Sequence, residues 1–227
     1  PPEQREALDL SSWTLAFSGA EPVRTQTLMN FVEAFGPYGF RLESFYPCYG
    51  MAETTLLTSG GKKEHSPILK TFDSKGIEKN QVIIQETDKP DSITLVGCGK
   101  LVEGSIRIVN PETLTLCSPD EIGEIWVSND SVAQGYWNRP TQTKDTFQAY
   151  IVDTQEGPFL RTGDLGFVQK DEIFVTGRLK DLIIIRGRNH YPQDIESTVE
   201  QSHPALREGC GAAFSVDVAG EERLVLT

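Results

Sequence analysis

One run constrains the architecture of this chain more than any other: Thr176-Gly-Arg-Leu-Lys-Asp-Leu-Ile-Ile-Ile-Arg-Gly-Arg-Asn-His-Tyr-Pro-Gln-Asp-Ile-Glu196. Charged residues at a turn (Arg178, Lys180, Asp181) lead into an apolar strand, Leu182 to Ile185. A Gly-containing basic loop follows, then a helix start at Pro192. Ordinary packing does not require that order. It reads as a hinge, in which Lys180 and Asp181 absorb a backbone rotation between two domains. The 227 residues exceed the usual ~100–200 of one domain, so one large domain or two smaller ones fit.

The segments before the hinge suggest different layers. Trp13 to Phe17 is a short apolar strand, and Ser18-Gly-Ala-Glu-Pro22 turns into a helix. Leu28, Phe31, Val32 and Phe35 fall at helical spacing, on one apolar face. Gly36-Pro37 stops that helix, and Ser44 to Pro47 is the next strand. This β-α-β order is the grammar of a parallel sheet with helices packed on it. Ligands in such sheets sit beyond the carboxyl ends of the strands. Residues 62–92 are polar and charge-mixed, with one β-like run from Val82 to Ile84, and read as a surface insertion. From 93 to 179 short strands alternate with turns, the texture of a small barrel or sandwich; Thr141 precedes a short helix and can cap it. The expected divisions are 1–61, 62–92, 93–179 and, as the start of a small α+β domain, 180–227. The chain opens Pro1-Pro2 and stops at Leu224-Val-Leu-Thr227, which reads as the middle of a buried strand, so a piece of a longer protein is expected.

Composition narrows the functional classes. Hydrophobic residues make up 38% of the chain, enough for a packed core, and the formal charge is −12. That balance argues against binding a nucleic-acid backbone and against adhesion to anionic membranes. No apolar run reaches the ~20 residues of a membrane span, and a cytoplasmic protein is expected. Cys48, Cys98, Cys117 and Cys210 are scattered, with neither metal-ligand nor disulfide spacing. His65, His190 and His203 have no partner at catalytic spacing, and no Gly-x-Ser-x-Gly elbow is present.

Three loops have chemical potential. In Arg161-Thr-Gly-Asp-Leu-Gly166, Asp164 sits between two glycines and can accept two hydrogen bonds, which suits the vicinal hydroxyls of a ribose; alone, the motif reads first as a plain Asp-containing hairpin turn. In Tyr46-Pro-Cys-Tyr-Gly-Met-Ala-Glu53, an aromatic ring beside a Gly-rich turn can stack on a purine, and Glu53 is a hard oxygen ligand for Mg²⁺ bound to phosphates. The plain alternative packs Tyr49 in the core and leaves Glu53 favouring the first turn of a helix. Gly19 and Ala20 would let the backbone lie flat against a base. Arg178 is a fixed cation able to reach ribose or phosphate oxygens, or else the partner of a surface ion pair with Asp181.

Taken together, Ser18-Gly-Ala-Glu-Pro22, Tyr49-Gly-Met-Ala-Glu53, Thr162-Gly-Asp-Leu-Gly166 and Gly177-Arg-Leu-Lys-Asp-Leu-Ile-Ile184 resemble, in order and spacing, the motifs of the acyl-adenylate-forming superfamily. Within it the chain is most similar to fatty acyl-AMP ligases, on Phe45-Tyr-Pro-Cys-Tyr-Gly-Met-Ala-Glu53, Leu95-Val-Gly-Cys-Gly99, Gly123-Glu-Ile-Trp-Val127, Val132-Ala-Gln-Gly-Tyr-Trp137 and Arg186-Gly-Arg-Asn-His-Tyr-Pro-Gln-Asp-Ile-Glu196. Ala52 stands where CoA ligases usually carry Thr. The resemblance implies an α/β fold: part of the large N-terminal domain, with a parallel-sheet subdomain and a small β-barrel subdomain, then the start of a small α+β domain.

The resemblance also implies roles. Ser18, Gly19, Ala20 and Glu21, with Tyr49, Gly50 and Met51, would line the adenine site, with Tyr49 stacked on the ring. Glu53 would help hold Mg²⁺, Asp164 grip the ribose hydroxyls, and Arg178 contact ribose or phosphate. The implied reaction joins a fatty acid to ATP as acyl-AMP, for transfer to an acyl carrier protein or a fused synthase module. Segment 62–92 falls where these ligases carry an insertion associated with that choice over CoA. The family's upstream phosphate loop and distal lysine lie outside this sequence, so the piece alone is expected to be inactive. A long-chain acyl-CoA ligase is the alternative, and a non-catalytic scaffold of the same fold a second one.

Overall fold

In the computed structural model, the apolar–amphipathic–apolar order of the first 49 residues becomes a strand–helix–strand unit. Strand β1 (Ala16–Ser18) pairs in parallel with β2 (Phe45–Tyr49), Ala16 opposite Phe45 and Ser18 opposite Pro47. The structure describes residues 2–86, 89–207, 209–218 and 221–227; Pro1 of the opening dipeptide, and Thr87 and Asp88 of segment 62–92, lie outside the described residues. A helical turn α1 (Pro2–Arg5) precedes β1, and helix α2 (Thr25–Phe35) connects the two strands. On α2, Leu28 is buried and Phe31 sits edge-on to Phe40 and Phe45, with centroids 4.8 and 5.7 Å apart. The helix gives way at Gly36-Pro37 to a single 3-10 turn, Gly36–Tyr38. Strands β3 (Ser59–Gly60) and β6 (Lys100–Leu101) join antiparallel, so the sheet β1-β2-β3-β6 is mixed and only its first pair is parallel.

Segment 62–92 is more than a surface insertion. It supplies β4 (Leu69–Asp73), paired with β5 (Ser92–Val96), and the short helix α3 (Ser74–Ile77), capped by the Asp73 carboxylate on the Gly76 N–H. Phe72 is fully buried, its ring 5.1 Å from that of Phe167 and 5.5 Å from that of Phe174. The polar composition hid this because the segment buries only a few apolar positions, Phe72, Ile77 and Val82.

The other large sheet is antiparallel, in the order β10 (Glu172–Arg178), β9 (Leu160–Gln169), β8 (Gly123–Ser128), β7 (Ser105–Val109). Central strand β8 is buried from Gly123 to Val127, as expected of a strand covered on both faces. The sheet is open, not a closed barrel. Helix α4 (Pro140–Phe147) begins at Pro140, so Thr141 lies inside it and cannot cap it; the N-cap position is Arg139, without a side-chain cap.

Beyond the 3-10 turn Leu179–Asp181 come hairpin β11 (Ile183–Ile185) and β12 (Arg188–His190), helix α5 (Pro192–Gln201), and hairpin β13 (Ala213–Val218) and β14 (Glu221–Leu226). The expected burial of the last strand does not hold: Leu224 and Leu226 are 38% and 46% exposed. This part rests on the preceding one. Tyr191 is buried in the cluster around Phe72, the Arg24 guanidinium donates to the Gln193 carbonyl at 2.8 Å, and Asn189 bonds both the Glu78 carbonyl (3.0 Å) and the Asn80 side chain (2.9 Å).

Candidate active site

The site is built where the two large sheets meet, at the carboxyl ends of β1 and β2. There the ladder between β8 and β9 loses register: Glu124 faces Leu165 and Trp126 faces Arg161, so Thr162, Gly163 and Asp164 bulge out opposite Ile125 alone. Gly163 holds the left-handed φ of +72° that such a bulge needs, at no steric cost to glycine. The Thr162 hydroxyl donates to the Ile125 carbonyl at 2.7 Å and accepts the Asp164 N–H at 3.1 Å.

This geometry turns the Asp164 carboxylate toward β2. Its Oδ2 accepts the Tyr49 hydroxyl at 2.8 Å. On its other side Arg178 lies directly across the β9–β10 ladder, with Nε 3.5 Å from Oδ1. The partner of Arg178 is therefore Asp164 and not the neighbouring Asp181. Asp164 is only 8% exposed, and burial raises its pKa above the ordinary carboxylate value; the Tyr49 hydrogen bond and the Arg178 charge oppose that rise without cancelling it. Burial and the Asp164 charge also push the Tyr49 phenol well up, so Tyr49 is a hydrogen-bond donor and never a phenolate at neutral pH.

Tyr49 is itself 8% exposed, and its ring packs with Cys98, Ile125, Val127 and Ile173, with Met51 on the flank. What the structure displays for Tyr49 is a core ring with a polar tip that fixes Asp164. Gly50 and Met51 lead from β2 into the 3-10 turn Ala52–Thr54 that carries Glu53. Glu53 Oε1 accepts the Tyr136 hydroxyl at 2.6 Å, and its carbonyl accepts the Ala133 N–H at 2.7 Å. Burial and the carboxylate push the Tyr136 phenol up to about 12. Among the described residues no donor occupies Glu53 Oε2, and no group of three His, Cys, Asp or Glu could hold a metal by itself. A single carboxylate oxygen is what Mg²⁺ takes from a protein when substrate phosphates supply other ligands, so Glu53 fits that use.

Ser18, Gly19, Ala20 and Glu21 leave the end of β1 beside this cluster. A side chain on Gly19 would stand 2.9 Å from the Cys48 carbonyl, so its absence lets the turn lie against β2. Ala20 adopts a left-handed φ of +69°, and Glu21 is exposed. Lys180 and Asp181 are exposed on the turn between β10 and β11. Two residues escaped the sequence reading as individuals, Tyr136 and Glu124. For Glu124 a signal existed: a carboxylate inside the apolar run Gly-Glu-Ile-Trp-Val must be paired if buried. Tyr136 left none, because its partner is 83 residues away.

Residues 1–137 match the profile of the AMP-binding enzyme family. The chain belongs to that family. Its medium-chain-fatty-acid–[acyl-carrier-protein] ligase JamA from Moorena producens (strain JHB) is 52% identical over 227 residues, which is 99% of this chain and 38% of that protein. The putative fatty-acid–CoA ligase FadD21 from Mycobacterium tuberculosis (strain ATCC 25618 / H37Rv) is 41% identical, over 97% of this chain and 38% of its own length. A solved fatty acyl-adenylate ligase from L. pneumophila, in complex with acyl adenylate and pyrophosphate, superposes with a TM-score of 0.76 at 46% identity, covering 99% of this chain and 39% of that one. The chain thus spans less than two-fifths of the length of these relatives. No described helix is long and apolar enough to cross a membrane.

Proposed function

We propose that the protein to which this chain belongs is a fatty acyl-AMP ligase. It joins a fatty carboxylate to the α-phosphorus of ATP, expels pyrophosphate, and passes the acyl group to the thiol of an acyl carrier protein with release of AMP. The observation that carries this reading is the Tyr49–Asp164–Arg178 cluster at the carboxyl ends of a parallel strand pair. Asp164, held from one side by a neutral phenol, offers carboxylate oxygens to the two ribose hydroxyls. Arg178 steers toward ribose or α-phosphate oxygens. The turn Ser18–Glu21 and the edge of Tyr49-Gly50-Met51 bound the adenine. Glu53 would hold Mg²⁺, which neutralises phosphate charge when bound. The rate then comes from positioning and charge complementarity. The cytoplasm is the proposed compartment.

We also propose that residues 180–227 rotate about Lys180 and Asp181 between the two half-reactions. The seam they make is incompletely matched: it holds a cavity of 380 Å³ lined by Arg24, Leu95, Thr176 and Tyr191, among others. Among the described residues, Gln193 Oε1 is buried there without a hydrogen-bond partner. Such a seam suits an interface that must open.

The full-length enzyme with ATP, Mg²⁺ and a panel of fatty acids, with and without CoA, tests the reading by mass spectrometry. Acyl-AMP without acyl-CoA supports it. Abundant acyl-CoA moves the assignment to the CoA ligases, the reading that FadD21's name favours. The absence of both products overturns the assignment.

A further inference from the structure

We infer that Glu124 is a positioning residue that sets the Asp164 turn for ribose recognition. This rests on the role proposed for Asp164 above. Glu124 is the second residue of β8 and is 2% exposed, a buried carboxylate that needs several donors to exist there. It has them. Oε2 accepts Arg161 Nε and one terminal nitrogen at 3.0 and 2.8 Å, and the Trp126 indole N–H at 2.9 Å. Oε1 accepts the backbone N–H of Gly163 at 3.1 Å. The Arg161 guanidinium also lies over the Trp126 ring, 5.5 Å from its centroid.

The Gly163 bond is the informative one. Gly163 is the apex of the bulge and precedes Asp164. An acceptor is needed there because the displaced ladder leaves that N–H without a strand partner. Glu124 supplies it, so the carboxylate that anchors Arg161 also fixes the peptide from which Asp164 projects. Thr162 anchors the other flank through Ile125, and Tyr49 fixes the Asp164 side chain itself.

A Glu124→Gln exchange separates this role from simple packing. The amide keeps the volume but has one oxygen. Arg161 and Trp126 claim that oxygen, which turns the amide NH₂ toward the Gly163 N–H, donor against donor. The turn shifts while the core stays filled.

The test measures kcat/KM of the full-length enzyme for ATP, 2′-deoxy-ATP and 3′-deoxy-ATP, read as pyrophosphate release. Asp164→Asn should reduce the preference for ATP by roughly 10- to 100-fold, the loss of a hydrogen bond to a charged group. Glu124→Gln should reduce it by about tenfold, with the KM for fatty acid unchanged. An Asp164→Asn effect with full discrimination retained in Glu124→Gln overturns the inference. Full discrimination in Asp164→Asn overturns the ribose reading, and the inference with it. If Glu124→Gln does not fold, the paired exchange Glu124→Leu with Arg161→Met removes both charges and still strands the Gly163 N–H, and the same ratio decides.

Discussion

Asp164 shows what a buried, functional carboxylate does to stability. Its folded-state pKa is raised, so the folded protein holds that proton more tightly than the unfolded chain. Its stabilising contribution is therefore complete below the usual carboxylate range and is lost as pH rises through the folded pKa. At pH 7 the ionised group weakens the fold. Asp164→Asn, which keeps an acceptor for Tyr49, should thus raise the thermal midpoint at pH 7, and the gap to the wild type should close as pH falls toward 4. Midpoints measured at both pH values check the sign; a lowered midpoint at pH 7 contradicts it. Tyr136 makes a second residue-scale case. Tyr136→Phe removes the donor to Glu53 Oε1, a loss of about 1 kcal/mol. It should raise the Mg²⁺ concentration for half-maximal adenylation about fivefold. An unchanged Mg²⁺ titration would argue that Glu53 is oriented by its backbone alone.

The element that matters most is the bulged strand β9. Arg178 faces Asp164 because the β9–β10 ladder skips Thr176, and the β8–β9 ladder skips at Thr162 to Asp164, where the carboxylate meets Tyr49. Gly163 has φ +72° with no atom near a would-be Cβ, so a side chain there meets backbone strain and nothing else. Gly163→Ala should destabilise by about 1–2 kcal/mol, whereas Gly163→Asn, which tolerates the left-handed region, should lose clearly less. Denaturant unfolding of both variants checks this; equal losses would point to a clash in place of strain. Glycine between Thr162 and Asp164 was legible as a turn in the sequence. That the turn is a bulge inside a long strand was not, because strand pairing depends on residues more than 30 positions away.

At the scale of the whole molecule, Phe72 decides what segment 62–92 is. Its ring joins Phe167 and Phe174 from β9 and β10, so Phe72→Ala should cost about 3–5 kcal/mol. Chemical denaturation measures it, and a loss below about 1 kcal/mol would restore the view of a surface insertion. The same segment holds the following part through Glu78 and Asn80 on Asn189. Excising 62–92 to test carrier-protein preference would therefore remove core along with the contact, and point changes at Asn80 or Asn189 are the cleaner probe.

Local chemistry written in consecutive residues was legible without coordinates. The strand–helix–strand opening, the stop at Gly36-Pro37, the helix from Pro192 to Gln201 and the four ordered motifs all follow from short-range spacing and backbone preference. What the tertiary structure alone decided are the meetings between distant segments: Arg178 with Asp164 and not Asp181, Tyr49 as a buried donor, Tyr136 on Glu53, Glu124 beneath Gly163, Phe72 in the core. These depend on which strands share a ladder and where its register slips. No local pattern encodes that, because each pairing is set by the packing of faces brought together only when the chain has folded.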